Sequence, residues 1–259
     1  KSIMSALSKS VANLDMNARS ADVARALREC GCSLLAPQQL QSACAVQLGD
    51  LDALRVSWER LPRDTYLLDG GRYRFRRHSC FVHEVAADSL QLVPHRAHWQ
   101  PRDYNALHGG LERWFEPIES AVLDAPAWGG LVRALGNIFA AIRPVRRWYV
   151  EAHQFRIDTA EGIGRPTPEG AHRDGVDYVA VILVKRSDVS GGETRVFDAD
   201  GPAGVRFTMA EPWTALLLDD AQVVHETTPI QKAGPHGVRD TLVLTFRADS
   251  FQAPESVVQ

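Results

Sequence analysis

The chain of 259 residues has little cysteine and no long apolar run. Its cysteines are only Cys30, Cys32, Cys44 and Cys80, which lack the spacing of a redox pair or a zinc knuckle and favour a reducing, cytoplasmic setting. No segment approaches the ~20 consecutive apolar residues of a membrane span, and residues 1–20 contain no stretch apolar enough for a signal peptide. We therefore do not expect a disulfide scaffold, a membrane protein or a secreted protein.

An excess of charge of one sign is also lacking. The chain carries 29 basic and 32 acidic residues, a formal net charge of −3, so no nucleic-acid or anionic-membrane partner is expected. Lysine occurs only at Lys1, Lys9, Lys185 and Lys232. The other basic residues are arginines, whose planar guanidinium groups suit the recognition of carboxylates.

Hydrophobic periodicity divides the chain into a helix-rich and a strand-rich part, with no linker or internal repeat. Residues 1–145 are predicted to be mainly helical support, including helices over 104–123 and 126–142, apart from an arginine-rich strand at 72–77. We expect one domain, residues 1–259, of the α+β class, in which these helices support a jelly-roll core at 146–250. The predicted strands of that core are 147–158, 176–186, 193–198, 213–218, 222–226 and 239–248.

The stretch "EGAHRDGVDYVAVILV", residues 169–184, places two metal-ligand residue types at the start of an apolar strand. Residues i and i+2 of an extended strand project from the same face, so His172 and Asp174 are expected to point together. His225 ends a later apolar strand in "LLLDDAQVVHETTPI" and supplies a third candidate ligand. Two histidines and one carboxylate occupy one face of an octahedron and leave three positions open, which is typical of non-haem Fe(II) oxygenases.

Other interpretations of these three residues remain open. An isolated H-x-D is common by chance and can be a turn with solvated charges, and His225 taken alone is equally ambiguous. Zinc accepts the same ligands, although a hydrolytic zinc site usually adds a general base near the metal, and none is obvious in this sequence. The combination of the three residues, in this order along the chain, favours iron.

An arginine follows the third candidate ligand at a position that suits a cosubstrate. A 2-oxo acid can occupy two open iron positions through its keto oxygen and C1 carboxylate, which leaves the third for dioxygen. Its far carboxylate requires a cation, and Arg239 opens the strand "RDTLVLTF", one turn and one strand after His225. Thr241 lies on the same face of that strand and can add a hydroxyl group.

Five motifs occur in a fixed order within residues 147–247: "HQFRI", "PTPEGAHRDGVDYVAVILVKR", "GGETRVFD", "LLLDDAQVVHETTPI" and "RDTLVLTF". Together they resemble the bacterial 2-oxoglutarate/Fe(II) dioxygenases that hydroxylate free L-amino acids, of the L-isoleucine 4-hydroxylase type, a family that includes a biofilm- and stress-linked member. Weaker similarity at 72–77 and 100–110 extends the resemblance over most of the chain. One departure is Trp213-Thr214, where relatives often have a Gly-Asp turn.

The resemblance implies a fold, a reaction and a set of ligands. It implies a double-stranded β-helix of the cupin type, in which His172, Asp174 and His225 bind Fe(II) and Arg239 holds the C5 carboxylate of 2-oxoglutarate. It also implies that dioxygen converts 2-oxoglutarate to succinate and CO₂ while an unactivated C–H bond of the substrate is hydroxylated. The motifs do not convey which amino acid is the substrate.

A free amino acid also needs a cation for its carboxylate and an acceptor for its ammonium group. Along the predicted strand 147–158, Gln154 and Arg156 alternate with His153 and Phe155. We expect the first pair to face the interior of the barrel, with Gln154 near the cosubstrate, and we expect His153 to be packed in the core. The remaining histidines show no metal spacing.

Several arginines and one asparagine are the candidates for contacts with that substrate. The arginines of 72–77 can instead form a solvated face, and the asparagine can instead stabilise a turn. The candidates are Arg74, Arg76, Asn105, Arg156 and Arg173.

The expected function is therefore hydroxylation of a free, aliphatic L-amino acid by an Fe(II)- and 2-oxoglutarate-dependent dioxygenase. Two alternatives keep the fold: a non-catalytic cupin-like metal- or ligand-binding protein in a biofilm or stress response, and an oxygenase that acts on a larger or carrier-bound substrate. The complete triad and Arg239 favour an enzyme, because a binding module has no need of open iron positions.

Overall fold

A computed structural model describes residues 19–254 of the chain. The expectation that the first twenty residues contain no signal peptide falls almost wholly outside this range. Within the described range, no helix is both long enough and apolar enough to cross a membrane.

The helices of the described chain lie between residues 20 and 142. Helix α1 ends at Gly31, whose left-handed backbone (φ 72°) lets the chain turn directly into the first strand. Pro126 begins the longest helix, at a position where its missing N–H has no helical partner to lose. The helices are α1 (Ser20–Cys30), α2 (Pro37–Cys44), α3 (Leu48–Asp52), α4 (Ser120–Leu123) and α5 (Pro126–Ile142), with a 3-10 helix at Arg55–Arg60.

The expected helix over 104–123 is wrong. The chain forms turns up to Gly110 and then irregular backbone with an isolated bridge at Arg113, and only α4 is helical. Gly110 adopts a left-handed backbone (φ 78°) that interrupts a helix, and Pro117 cannot donate a helical hydrogen bond. The apolar residues that suggested a helix belong instead to a loop that covers one side of a cavity.

The strands form one large antiparallel sheet and two smaller sheets. The large sheet has the order β1-β9-β5-β12-β4-β2-β3, and the smaller ones are β10-β7-β8 and β11-β6. The strands are β1 (Cys32–Leu35), β2 (Arg74–Glu84), β3 (Ser89–Leu92), β4 (Arg147–Asp158), β5 (Tyr178–Ser187), β6 (Val189–Gly191), β7 (Thr194–Asp198), β8 (Gly204–Phe207), β9 (Ala215–Asp219), β10 (Val223–Thr227), β11 (Ile230–Lys232) and β12 (Val238–Arg247).

This arrangement is the jelly roll expected from the sequence, and the predicted α+β class with helical support is confirmed. The six predicted core strands correspond to β4, β5, β7, β9, β10 and β12, with ends that differ by two residues or fewer. Strand β1 was not predicted; it is a short strand that adds to the edge of the large sheet by pairing with β9.

The large sheet has one face packed against helices and one face turned towards a cavity. On β4, Val150 and Ala152 belong to the core that includes α5, whereas Glu151 and His153 line the cavity. The inner face also packs against the sheet β10-β7-β8. There, Val179 and Leu183 of β5 form a second core with Val196 of β7. The alternation of side chains along β4 and β12 therefore decides which polar groups reach the cavity.

Candidate metal centre

His172, Asp174 and His225 come together at one wall of the cavity. Each offers a nitrogen or oxygen atom, and these atoms lie within 4.8 Å of one another. His172 Nε2 is 3.7 Å from Asp174 Oδ1, and His225 Nε2 is 3.9 Å from Asp174 Oδ2. Two imidazoles and one carboxylate at this spacing fit a divalent transition-metal ion that keeps open positions on the cavity side.

A backbone bridge holds the two histidines opposite each other. His225 lies in β10, and it exchanges two N–H···O=C hydrogen bonds of 3.0 Å with His172. The extended-strand argument for His172 and Asp174 is wrong in detail, because β5 begins only at Tyr178 and both residues lie in the loop before it. Gly175, which has a left-handed backbone (φ 75°), turns the chain directly after Asp174.

Asp220 fixes the loop that carries Asp174. The Asp220 carboxylate accepts hydrogen bonds from the backbone N–H groups of residues 174, 175 and 176 at 2.9, 2.8 and 3.1 Å, respectively. His172 is oriented by a 2.9 Å contact between its Nδ1 and the carbonyl of Gly170. When Nδ1 carries the proton of this hydrogen bond, Nε2 is left with a lone pair on the side of Asp174.

The electrostatics of the triad favour a cation beside Asp174. Burial would lower the pKa of His172, but Asp174 and Glu169 raise it to about 10. Burial would raise the pKa of Asp174, but His172 lowers it to about 2. Burial lowers the pKa of His225 to about 4. Since only a neutral imidazole binds a metal ion, metal binding would release the proton of His172.

The opposite wall of the cavity is built from side chains of β12, β4 and β2 that lie side by side in the sheet. The side chains form cross-strand rows. The row at one end contains Arg239, and the rows follow one another along β4 towards Glu151 at the other end. The rows are Arg239–Ile157–Arg74, Thr241–Phe155–Arg76 and Val243–His153–His78.

Arg239 and Thr241 both line the cavity. Arg239 is 4% exposed, and its Nε and Nη2 atoms have no hydrogen-bond partner among residues 19–254. Burial lowers the pKa of Arg239 to about 10, so its guanidinium is still charged at neutral pH. A buried guanidinium with unused donors suits a ligand carboxylate, because leaving such donors unpaired is costly.

Arg74, Arg76 and Asn105 line the cavity as well. Arg74 Nε donates to Asp64 Oδ2 at 2.8 Å, and Arg76 Nη2 lies 2.7 Å from His153 Nδ1. Each of the two arginines retains one buried nitrogen without a partner in the described chain. Asn105 hydrogen-bonds within its own loop, which is the turn-stabilising interpretation of that residue.

Gln154 and Arg156 do not reach the cavity, and the expectation that they face it is wrong. Gln154 is fully buried on the helix-packed face, where its Nε2 donates to Ser57 Oγ at 2.8 Å. Arg156 forms ion pairs with Asp240 and Glu59. Both residues lie at even-numbered positions of β4, on the same face as Val150 and Ala152, which pack against the helices. Their side chains therefore cannot point to the face that lines the cavity.

Arg173 also lies outside the cavity lining, which corrects its choice as a substrate contact. Its Nε is 3.9 Å from Asp220 Oδ2, and its guanidinium lies 5.9 Å from the centre of the Tyr104 ring. Arg173 therefore contacts the outer side of the loop, while the two residues beside it in sequence point inwards.

The cavity contains polar residues that the sequence did not single out. Glu151, His98 and Arg113 line it, and His153 does so although it is as buried as a packed histidine. Contrary to the expectation from spacing alone, His78, His98, Glu151 and His153 form a second compact group of possible ligand atoms. Strand alternation could have paired Glu151 with His153, but no local signal brings in His98 from a distant loop.

Comparison with known proteins supports one family. The family model described as 2OG-Fe dioxygenase matches residues 55–245. The L-isoleucine-4-hydroxylase of Bacillus thuringiensis is 25% identical over 203 residues, which is 76% of this chain and 82% of that protein.

Solved structures agree with the fold. A bsmA homolog from Methylobium petroleophilum PM1 is 53% identical, with a TM-score of 0.88 over 92% of this chain and 96% of that chain. IDO from Bacillus thuringiensis has a TM-score of 0.72 at 17% identity, over 93% of this chain and 98% of that chain, a similarity that concerns the fold alone.

Proposed function

This chain belongs to the 2OG-Fe dioxygenase family, and from that premise we propose that it hydroxylates an unactivated C–H bond of a free, aliphatic L-amino acid. The enzyme class and the use of Fe(II) and 2-oxoglutarate follow from the family. The substrate class, the site residues and a cytoplasmic location are our proposals, the last supported by the sparse cysteines.

The observation that carries the proposal is the convergence of His172, Asp174 and His225 on one wall of a cavity that Arg239 also lines. We assign the three residues as the iron ligands, since their atoms lie within 4.8 Å of one another. Bound Fe(II) supplies the activation of dioxygen that converts 2-oxoglutarate to succinate and CO₂ and hydroxylates the substrate. A non-catalytic binding protein would gain nothing from a ligand set with open positions.

Arg239 is assigned to the distal carboxylate of 2-oxoglutarate. Its Nε and Nη2 atoms, which have no partner within residues 19–254, offer two donors to a carboxylate in a buried setting, and Thr241 adds a hydroxyl group on the same face of β12. Since burial excludes water from Arg239, these hydrogen bonds have little competition from solvent, and they fix the direction in which the cosubstrate enters.

The part of the cavity beyond Arg239 is assigned to the substrate. Arg74 and Arg76 supply positive charge there, and Val181 and Val243 supply apolar surface suited to an aliphatic side chain. The similarity to an L-isoleucine-4-hydroxylase supports the amino-acid class. The alternative of a larger or carrier-bound substrate is an outcome of the test that follows.

The test measures succinate formed from 2-oxoglutarate with Fe(II), ascorbate and each proteinogenic amino acid in turn. We expect one or a few aliphatic amino acids to raise succinate above the uncoupled background, and His172→Ala to abolish that rise because a ligand is lost. His236→Ala, a change at an exposed histidine, is the matched control and should retain full activity.

Two results would contradict different parts of the proposal. If no amino acid raised turnover while iron and 2-oxoglutarate still bound, free amino acids would be the wrong substrate class. If His172→Ala bound iron as tightly as the unaltered chain, the ligand assignment itself would be wrong.

A further inference from the structure

Glu151 is a buried carboxylate at the end of the cavity away from Arg239. It is 6% exposed and lines the cavity. Its Oε2 lies 2.8 Å from His78 Nε2 and 2.7 Å from His98 Nδ1, with His153 Nε2 further away at 3.9 Å. Its Oε1 takes part in none of these contacts, so one oxygen is held by imidazoles and the other is left to a ligand.

The surrounding imidazoles keep Glu151 negatively charged. Burial alone would raise the pKa of Glu151, but interactions with His98 and His78 lower it below the usual range of a glutamate. Burial lowers the pKa of His98 to about 4 and also lowers the pKa of His78. Both rings are therefore neutral N–H donors at neutral pH, and they stabilise the carboxylate without cancelling its charge.

Three guanidinium groups line the same cavity as this carboxylate. Arg74, Arg76 and Arg113 are each at least nine-tenths buried, and each has a nitrogen with no hydrogen-bond partner among residues 19–254. Asp64 is the acidic residue paired with Arg74 at 2.8 Å and with Arg76 at 3.8 Å. Glu169 also lines the cavity and interacts electrostatically with Arg113, so the three guanidinium groups face the carboxylates of Asp64, Glu151 and Glu169. The unused buried donors of the arginines, rather than a net charge, are what an anionic group of a ligand would satisfy.

Opposite charges are close together in this part of the cavity. Arg76 Nη2 contacts His153 Nδ1 at 2.7 Å, and the other nitrogen of the same ring is 3.9 Å from Glu151 Oε2. A guanidinium and a carboxylate are thus separated by one imidazole ring and two contacts. The head group of a single α-amino acid, with one hydrogen bond at each end, can bridge groups spaced in this way.

We propose that Glu151 receives the ammonium group of the substrate and that the arginine wall, Arg74, Arg76 and Arg113, receives its carboxylate. This inference rests on the proposed function and specifies it further: the site selects an intact zwitterionic head group. An isolated cation is repelled by the arginine wall, whereas a zwitterion brings the anionic group that the wall lacks. Substrates with a blocked amine, or with a carboxyl group attached to a carrier, are rejected because they leave buried charges unpaired.

A second metal ion is the competing interpretation of the four clustered side chains. A metal ion would require lone pairs from His78 Nε2 and His98 Nδ1, but both atoms are at hydrogen-bond distance from one carboxylate oxygen and donate protons to it. Arg76 also lies against His153, where its charge opposes a divalent cation. The arrangement favours an organic ammonium group, which needs only an acceptor oxygen.

Calorimetric titration of the protein loaded with Fe(II) and 2-oxoglutarate, without oxygen, separates binding from turnover. The probes are L-isoleucine, L-leucine and L-methionine, each with its 2-hydroxy acid and its carboxamide. In Glu151→Gln we expect the dissociation constants of the amino acids to rise about 10- to 100-fold, the usual effect of losing a charged hydrogen-bond partner. The 2-hydroxy acids should bind weakly to both proteins, and their dissociation constants should differ between the two proteins by less than about twofold.

Two further variants control for damage to the fold. Glu151→Asp keeps the charge and should bind the amino acids more tightly than Glu151→Gln. Glu84→Gln removes a half-buried glutamate that pairs with Arg147 across the same two strands, and it should leave every dissociation constant unchanged. Iron content and melting temperature, measured on each variant, show whether a loss of binding reflects a loss of structure.

Four other results would contradict the proposed ammonium site. The ammonium site would be overturned, and the proposed function left intact, if the amino acids bound Glu151→Gln as tightly as the unaltered protein. The same would follow if the dissociation constants of the amino acids and of the 2-hydroxy acids rose equally in Glu151→Gln. A second metal ion per chain, lost in Glu151→Gln, would replace the ammonium site with a metal site. If the unaltered protein bound none of the amino acids, this inference and the proposed substrate class would both be wrong.

Discussion

Asp220 supports the candidate metal centre without offering it an atom. Its side chain is 1% exposed and accepts three backbone hydrogen bonds from residues 174–176, which include the ligand candidate Asp174. A loop fixed in this way holds the Asp174 carboxylate between the two histidines before any ion arrives. Residues that orient metal ligands in this manner commonly matter to affinity almost as much as the ligands do.

Replacing Asp220 should therefore weaken metal binding. We expect Asp220→Ala to raise the dissociation constant for Mn(II), a spectroscopic substitute for Fe(II), about 10- to 100-fold, because the loop loses its acceptor. Titration followed by electron paramagnetic resonance measures this constant. Asp200→Ala, at an exposed aspartate, is the control. An unchanged Mn(II) constant in a folded Asp220→Ala protein would refute the positioning role.

At the scale of elements, the loop before β9 connects the large sheet to the helical layer. Trp213, the first residue of the Trp213-Thr214 departure from the resembled motifs, has a left-handed backbone (φ 70°), a conformation that glycine adopts more easily. Its side chain is nevertheless 2% exposed, and its indole N–H donates to Asp52 Oδ1 of α3 at 2.7 Å. The residue thus ties the helical layer to the large sheet, away from the metal centre.

Replacing Trp213 by glycine should lose more stabilising free energy from this contact than it gains by relieving the backbone strain. We expect Trp213→Gly to lower the free energy of unfolding by roughly 2–4 kcal/mol, since burial of a tryptophan outweighs the cost of one left-handed residue. Trp213→Phe, which keeps most of the buried surface, should lose less. Urea denaturation measures both, and Mn(II) affinity should stay unchanged. A Trp213→Gly protein as stable as the original would show that the backbone strain dominates.

At the scale of the whole molecule, ligand binding and folding are linked. The candidate ligands come from the loop before β5 and from strand β10, which meet only in the folded chain, so Fe(II) and 2-oxoglutarate bind the native state and not the unfolded one. At one hundred times its dissociation constant, a ligand adds about 2.7 kcal/mol to the free energy of unfolding.

Removal of the metal should therefore lower the melting temperature. We expect the chelator-treated protein to melt roughly 5–10 °C below the protein saturated with Mn(II) and 2-oxoglutarate. His172→Ala should show no such difference, whereas His236→Ala should behave like the original chain. Scanning calorimetry with and without ligands provides the comparison. Equal melting temperatures for the loaded and unloaded original protein would argue against a metal site built from these residues.

Much of the fold could be predicted because the relevant signals are local. Alternation of apolar residues located β4, β5 and β12 closely, and the order of His172, Asp174, His225 and Arg239 along the chain pointed to a single site. The helix predicted over 104–123 was wrong because the apolar residues there do not share one buried face: Phe115 and Ile118 are buried, whereas Leu111 and Trp114 are exposed. Periodicity reports that residues are buried, but it does not report what buries them.

The sequence by itself determined the strands, the jelly-roll class and the set of residues from which a metal centre can be made, since each depends on neighbours in the chain. Only the tertiary structure decided which face of β4 meets the cavity, where Glu151 and His153 take the place expected for Gln154 and Arg156. It also brought His78 and His98 to Glu151 across 73 and 53 positions of sequence. Alternation along a strand defines two faces, but the packing of the helices on one face decides that the other face lines the cavity.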